Sequence, residues 1–211
     1  MASAVIHICV ANEINKILKK DKKKLLIGSI APDISKELGN TKIKSHFQDA
    51  DDNIPNIDKF LLKYFNNFDD DFVLGYYIHL YTDYLWFKYF VPDFLENGIL
   101  HKLNGTTQKI ENDDYAVRKY FYNDYSNLNI TLIDEYNLDL KIFYEEIPKL
   151  NNIIKEIPMN KINVIVEKTG MIIEDSKKKK TYVFDLELIN KFISSSVEKI
   201  ISELKELMII K

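Results

Sequence analysis

Hydrophobic positions recur at helical spacing over most of the chain. Over residues 3–18 they are Val5, Ile6, Cys9, Val10, Ile14, Ile17 and Leu18, one face of a helix with Ser3 as its N-cap. Residues 57–68 repeat the pattern through Phe60, Leu61, Tyr64 and Phe65. Asp70 or Asp71 caps the next helix, which runs to about Val91 and stops ahead of Pro92. This helix is apolar and aromatic nearly all round, which predicts a central, buried position. Further helical patterns cover 113–125, 130–136 and 140–155, the last divided by Pro148, and a final amphipathic helix runs from Phe184-Asp185 to about Leu207. Pro158 and Gly170 suit the first position and the end of one more helix, although partial alternation over 162–173 also admits a strand or hairpin.

The segments between are of three kinds. Residues 25–33 form a short apolar run broken by Pro32, and 39–56 read as an irregular polar loop. Residues 95–103 predict a short helix before a turn at Asn104-Gly105. Lysine clusters at 19–24 and 177–180 read as solvated loops in preference to lipid or nucleic-acid contacts. No repeat and no Pro/Ser-rich linker interrupts the chain, so the expectation is an all-α, single-domain helical bundle over 1–211.

Charge and composition narrow the function. A net charge of −3 argues against a module for duplex nucleic acid, whose footprint is basic. Arg118 is the only arginine, so bidentate guanidinium forks to phosphate are scarce. No apolar run approaches the ~20 residues of a membrane span. The first residues lack a basic segment and a cleavage site, which suggests retention and a cytoplasmic location. Cys9 is the single cysteine, which rules out an internal disulfide and a cysteine-based zinc site. A metal site must therefore draw on four histidines, His7, His46, His79 and His101, with carboxylates supplying the rest.

His79 and Asp83 stand four apart on the central helix, on one face and one turn apart. Two groups so placed on a rigid element can hold a metal ion, and the same spacing serves a buried His–Asp hydrogen bond equally well. Gly75, one turn earlier, leaves room for another segment to approach the histidine. His7 lies one turn into the first helix beside small residues, where a core-facing histidine is the simpler reading. Asp33 follows Pro32 in a turn and suits a cap; His46 sits in Ser45-His46-Phe47 within a polar loop and suits the surface. Imidazole and carboxylate without thiolate suit zinc, iron or manganese.

In order along the chain come His7, Gly28-Ser-Ile-Ala-Pro-Asp33, Ser45-His46-Phe47 and Gly75-Tyr-Tyr-Ile-His79-Leu-Tyr-Thr-Asp83. This string resembles the zinc-dependent phospholipase C family, within a superfamily that includes single-strand nucleases. The resemblance covers about the first 90 residues, up to Pro92. It implies an all-α fold with metals held between helices. It implies that Asp33, His46, His79 and Asp83 surround one ion, that His7 helps to bind a second with Asp83 bridging, and that Asp33 serves as base for the attacking water. Two features depart from the family. Its secreted members use the amino group of a processed N-terminal residue as a ligand, whereas six residues precede His7 here. They also hold a third ion with two further histidines and a glutamate, whereas the residue four after His101 is Gly105. Candidates to replace those ligands are His101, Asp113, Asp114 and Asp124, and spacing selects none of them.

The resulting expectation is a metal-dependent phosphoester hydrolase that uses one or two ions, zinc foremost, to activate water. Its substrate would be a small phosphoester or a phospholipid. Two alternatives stand beside it: a catalytically inactive, metal-stabilised helical protein, and a metal-free helical interaction protein. Tyrosine hydroxyls of residues 120–125 could also line a pocket and donate to a phosphate, although a helix core with exposed Asn and Asp is the simpler reading.

Overall fold

The central helix, α5 (Asp71–Leu85), is buried on nearly every side, as its aromatic sequence requires. The structure is a computed structural model that describes residues 1–39, 41–49, 54–110 and 114–210, with side chains from residue 119 onward in the last segment. It is predominantly helical. Asp70 caps α5, its carboxylate accepting from the amides of Phe72 and Val73. α1 (Ala4–Leu18) is capped by Ser3 and packs on α5. α2 (Lys22–Gly28), capped by Asp21, makes the most extensive contact with α5 of any element. A 3-10 turn follows at Ala31–Lys36, with Pro32 in its first turn, where the missing N–H costs nothing. Then come α3 (Lys42–Ser45) and α4 (Ile57–Tyr64). Lysines 22–24, expected in a loop, form the first turn of α2.

Beyond α5 the helical path continues as a π-turn (Trp86–Phe90) and a 3-10 turn around Pro92 (Val91–Asp93). Residues 95–103 are not helical. They belong to an antiparallel sheet of β1 (Leu95–Glu96), β2 (Ile99–His101) and β3 (Thr107–Lys109), with Leu95 opposite Leu100 and Ile99 opposite Lys109. The cause is Asn97-Gly98, both at positive φ (50° and 74°), the two-residue turn whose twist matches a hairpin.

The two helices expected over 113–125 and 130–136 are one, α6 (Asp114–Glu135). Its asparagines, weak helix formers, are held by partners elsewhere: the Asn127 amide donates to the Lys180 carbonyl and that of Asn129 to Ser176 Oγ. The segment 140–155 keeps only a 3-10 turn at Leu140–Phe143. Further on, Glu156 accepts from Tyr64 Oη (2.6 Å) and pairs with Lys63. α7 (Ile162–Glu174) is helical where alternation admitted a strand, and it runs through Gly170. α8 (Leu186–Glu206) is capped by Asp185 and packs on α1. Trp86 joins the halves of the chain, its ring 4.3 Å from Phe90, 5.0 Å from Phe192 and 5.8 Å from Phe184. Among the described residues no helix is long and apolar enough to cross a membrane.

α2 and α5 touch backbone to backbone. A Cβ on Gly75 would lie 2.1 Å from the Leu25 carbonyl oxygen, and one on Gly28 2.3 Å from that of Phe72. Neither obstacle is a flexible side chain, so the helices would have to part. We expect Gly75→Ala to destabilise the protein by about 3 kcal/mol or more in urea unfolding, at the upper end of overpacking costs.

Candidate metal centre

Five ionisable side chains from four separate segments converge beneath α1, α3 and α5. His7 comes from α1, Asp33 from the 3-10 turn after α2, His46 from the end of α3, and His79 and Asp83 from α5. The three histidines and Asp83 are fully buried, and Asp33 is 4% exposed. His79 Nε2 lies 3.3 Å from His46 Nε2 and 3.7 Å from Asp83 Oδ2. His46 Nε2 lies 3.4 Å from Asp33 Oδ1 and 3.7 Å from Asp83 Oδ2. His7 Nε2 lies 3.3 Å from Asp83 Oδ1, its ring stacked on that of His79 with centroids 3.8 Å apart. Two triads result, each with donor atoms in reach of a common ion: His7, His79 and Asp83, and Asp33, His46 and His79.

The partners of the outer ring nitrogens set the tautomers. His79 Nδ1 donates to the Ser29 carbonyl at 2.7 Å, which leaves its Nε2 as a lone pair. Ser45 Oγ donates to the Lys42 carbonyl at 3.3 Å and so accepts from His46 Nδ1 at 2.9 Å. His46 Nε2 is then a lone pair as well. Two nitrogen lone pairs thus face one another at 3.3 Å beside two carboxylates. Asp33 Oδ1, Asp83 Oδ2 and both His7 nitrogens are buried without a hydrogen-bond partner. Buried acceptors left unpaired are costly. A divalent cation is what this donor set fits, since it would satisfy the facing lone pairs and carboxylates together.

Local geometry explains how each side chain arrives. Gly28 and Gly75 bring α2 against α5, and so bring the Ser29 carbonyl to His79. Tyr76 Oη donates to the Ser45 carbonyl at 2.5 Å and steadies the end of α3. Phe47 takes a left-handed conformation (φ 54°), uncommon for a bulky residue, and turns the chain just after His46. Its ring is buried against Phe60, Tyr64 and Tyr76, which offsets the strain. The residues before His7 also reach the centre, where the Ala2 amide donates to Asp83 Oδ1 at 2.9 Å. Lys36 is a participant that sequence spacing did not single out. Its ammonium is 3.0 Å from Asp33 Oδ2, and its side chain remains partly exposed.

Burial opposes charge on Asp33, His46, His79 and Asp83, but neighbours override it for the two acids. Lys36 holds the Asp33 carboxyl well below the usual range, and His7 does the same for Asp83. Burial pushes the His46 imidazolium down, and burial followed by the nearby His7 pushes His79 down further. The centre is therefore two carboxylates with His46 and His79 neutral.

The other candidates lie elsewhere. His101 is exposed on β2, opposite Thr107. The Asp124 carboxylate is consumed by the amides of Tyr182 (2.8 Å), Val183 (2.7 Å) and Phe184 (3.2 Å). Asp113 and the side chain of Asp114 lie outside the described residues. Of the tyrosines over 120–125, Tyr125 Oη donates to the Met1 carbonyl at 2.7 Å and Tyr120 Oη to Gln108 at 2.9 Å, while Tyr122 is exposed. Compared with protein-family models, curated proteins and solved structures, the chain matches none.

The depressed histidines carry a signed prediction. In the unfolded chain His46 and His79 bind protons below about pH 6.5, while in the folded metal-free protein they resist protonation. The unfolded state then holds more protons, so stability rises with pH. Chelator-treated protein should lose melting temperature steadily between pH 7 and pH 5, as followed by circular dichroism.

Proposed function

We propose that the protein is a metal-dependent phosphoester hydrolase whose ions are held by His7, Asp33, His46, His79 and Asp83. The observation that carries this reading is the confrontation of the His46 and His79 Nε2 lone pairs at 3.3 Å, walled in by two carboxylates. The order of motifs that resembles the zinc-dependent phospholipase C family supports the phosphoester chemistry. In this reading Asp83 would be shared between two cations, which is supported by Oδ1 lying 3.3 Å from His7 and Oδ2 3.7 Å from both His46 and His79. A bound zinc ion would polarise a phosphoryl oxygen and lower the pKa of water to about 7.

The protein's own groups have distinct parts in this reading. Ser29 and Ser45 keep the two imidazoles in the ligating tautomer. Asp33 divides its oxygens, with Oδ1 toward the centre and Oδ2 on Lys36. The Lys36 charge makes Asp33 a weak base, so its role is to ligate and to orient a water by accepting its hydrogen bond. Lys36 marks the side open to solvent, and its ammonium is placed to attract an anionic substrate to that edge.

A second reading, a structural metal centre without turnover, is favoured by the burial of all five side chains. Two measurements on untagged protein separate the readings: zinc content by plasma mass spectrometry and hydrolysis of a chromogenic phosphodiester. The hydrolase reading expects one or two equivalents of zinc with turnover that chelation abolishes. A structural centre expects zinc and a chelation-sensitive melting temperature without turnover. Less than about half an equivalent after zinc reconstitution would sink both. We further expect Asp83→Asn to lose both ions and His101→Ala to retain them. Unchanged zinc in the first variant would contradict the bridging role.

A further inference from the structure

The lysine cluster at 177–180 does not float free in solvent. It is strapped along α6. The Lys177 amide donates to the Ser126 carbonyl at 2.9 Å, and the Asn127 side chain donates to the Lys180 carbonyl at 3.0 Å. Just beyond, the buried Asp124 carboxylate accepts the three amides of Tyr182, Val183 and Phe184. Between strap and helix lies a cleft of about 560 Å³, within the usual size of a small-molecule site.

Exposed lysines line this cleft on both sides: Lys119 on α6, Lys177 and Lys179 on the strap. Tyr122 and Asn123 add neutral polar groups. No carboxylate lines it among the described residues, and Lys178, which does pair with Asp134, is not part of the lining. In an acidic chain, three lysines lining one cleft give a local positive charge suited to a multiply charged anion.

The cleft is linked to the five-residue cluster through α6. Tyr122 stands one turn before Tyr125, whose hydroxyl donates to the Met1 carbonyl, and the next amide, that of Ala2, donates to Asp83. A ligand in the cleft therefore rests on the same stretch of α6 that ties the first residues of the chain, and through them Asp83, in place.

We propose that this cleft is a phosphate-binding subsite, and that the substrate of the five-residue centre is a phosphoester carrying a second, non-reacting phosphate. The first half stands on the cleft alone; the second rests on the hydrolase reading. The phosphate could belong to a soluble ester or to a lipid headgroup, the chemistry being shared.

The test uses the full chain loaded with zinc. Backbone amide spectra are recorded during titration with inorganic phosphate, and pelleting with phosphatidic acid vesicles is measured in parallel. Phosphate should give saturable shifts over residues 119–127 and 177–184. The triple variant Lys119→Ala, Lys177→Ala, Lys179→Ala should weaken this binding about tenfold, with zinc content and melting temperature unchanged. Pelleting that the same variant abolishes assigns the phosphate to a lipid; phosphate shifts without pelleting assign it to a soluble ester. The proposal is overturned if neither probe binds, or if the variant binds as the parent does. A protein that shows these shifts but holds no zinc and cleaves no phosphodiester retains its phosphate site and overturns only the substrate assignment.

Discussion

At Gly28 and Gly75 two helices meet with no side chain between them, and the chemistry of the interior depends on that contact. It carries the Ser29 carbonyl, the residue after Gly28, to within 2.7 Å of His79 Nδ1, one turn along α5 from Gly75. The ring proton is thereby committed to the outside of the cluster and the lone pair to the inside. A helix pair held apart by ordinary side chains at the usual 8–10 Å would leave the imidazole free to turn. Packing here sets a tautomer, and the tautomer sets what the centre can bind.

The cluster has an unfavourable balance if nothing else enters it. Two carboxylates and two neutral imidazoles face inward, and Lys36 offsets one charge from a half-exposed position. Surface pairs such as Lys191 with Glu187 are worth roughly 0–1 kcal/mol and shape nothing of this kind. Buried anions facing lone pairs are of another order, and only the surrounding core holds them together. The aromatic packing of Phe47 against Phe60, Tyr64 and Tyr76, and the left-handed turn it supports, are part of that restraint. Such local cost, concentrated where five candidate ligands meet, is the mark of a site that stability alone does not explain.

Much of this was legible in the sequence, for physical reasons that differ by element. α1 and α8 announce themselves by 3.6-residue periodicity and by caps at Ser3 and Asp185. The i,i+4 pair on α5 could be placed because a helix leaves no freedom in which face its residues share. The hairpin is hidden in the sequence by two nearby Asn-Gly pairs: Asn104-Gly105 suggests the turn, while Asn97-Gly98 makes the two-residue reversal between β1 and β2. α6 looked broken because asparagines depress helix propensity, and the bonds of Asn127 and Asn129 that repair it are to residues about fifty positions away. Lys36 escaped notice because nothing local shows that Asp33 is buried.

Residues beyond Pro92 supply none of the five inward-facing groups, yet the cluster could not exist without them. Trp86 at the end of α5 is enclosed by Phe184 and Phe192, and Tyr125 ties down the first residue of the chain. The second half is thus a wall packed around the first, and a wall constrains sequence only through volume and apolarity. Positions that must present particular atoms to one another, as the five clustered side chains do, leave readable motifs; wall positions accept many solutions. That difference explains why a string of motifs fills the first 90 residues and stops at Pro92. Asp124 is the instructive exception in the second half. Its carboxylate is also fixed atom by atom, but by three backbone amides, and the order it imposes is on the lysine-bearing strap. In both halves a buried aspartate orders its surroundings, one by facing other donors inward and one by holding a loop in place.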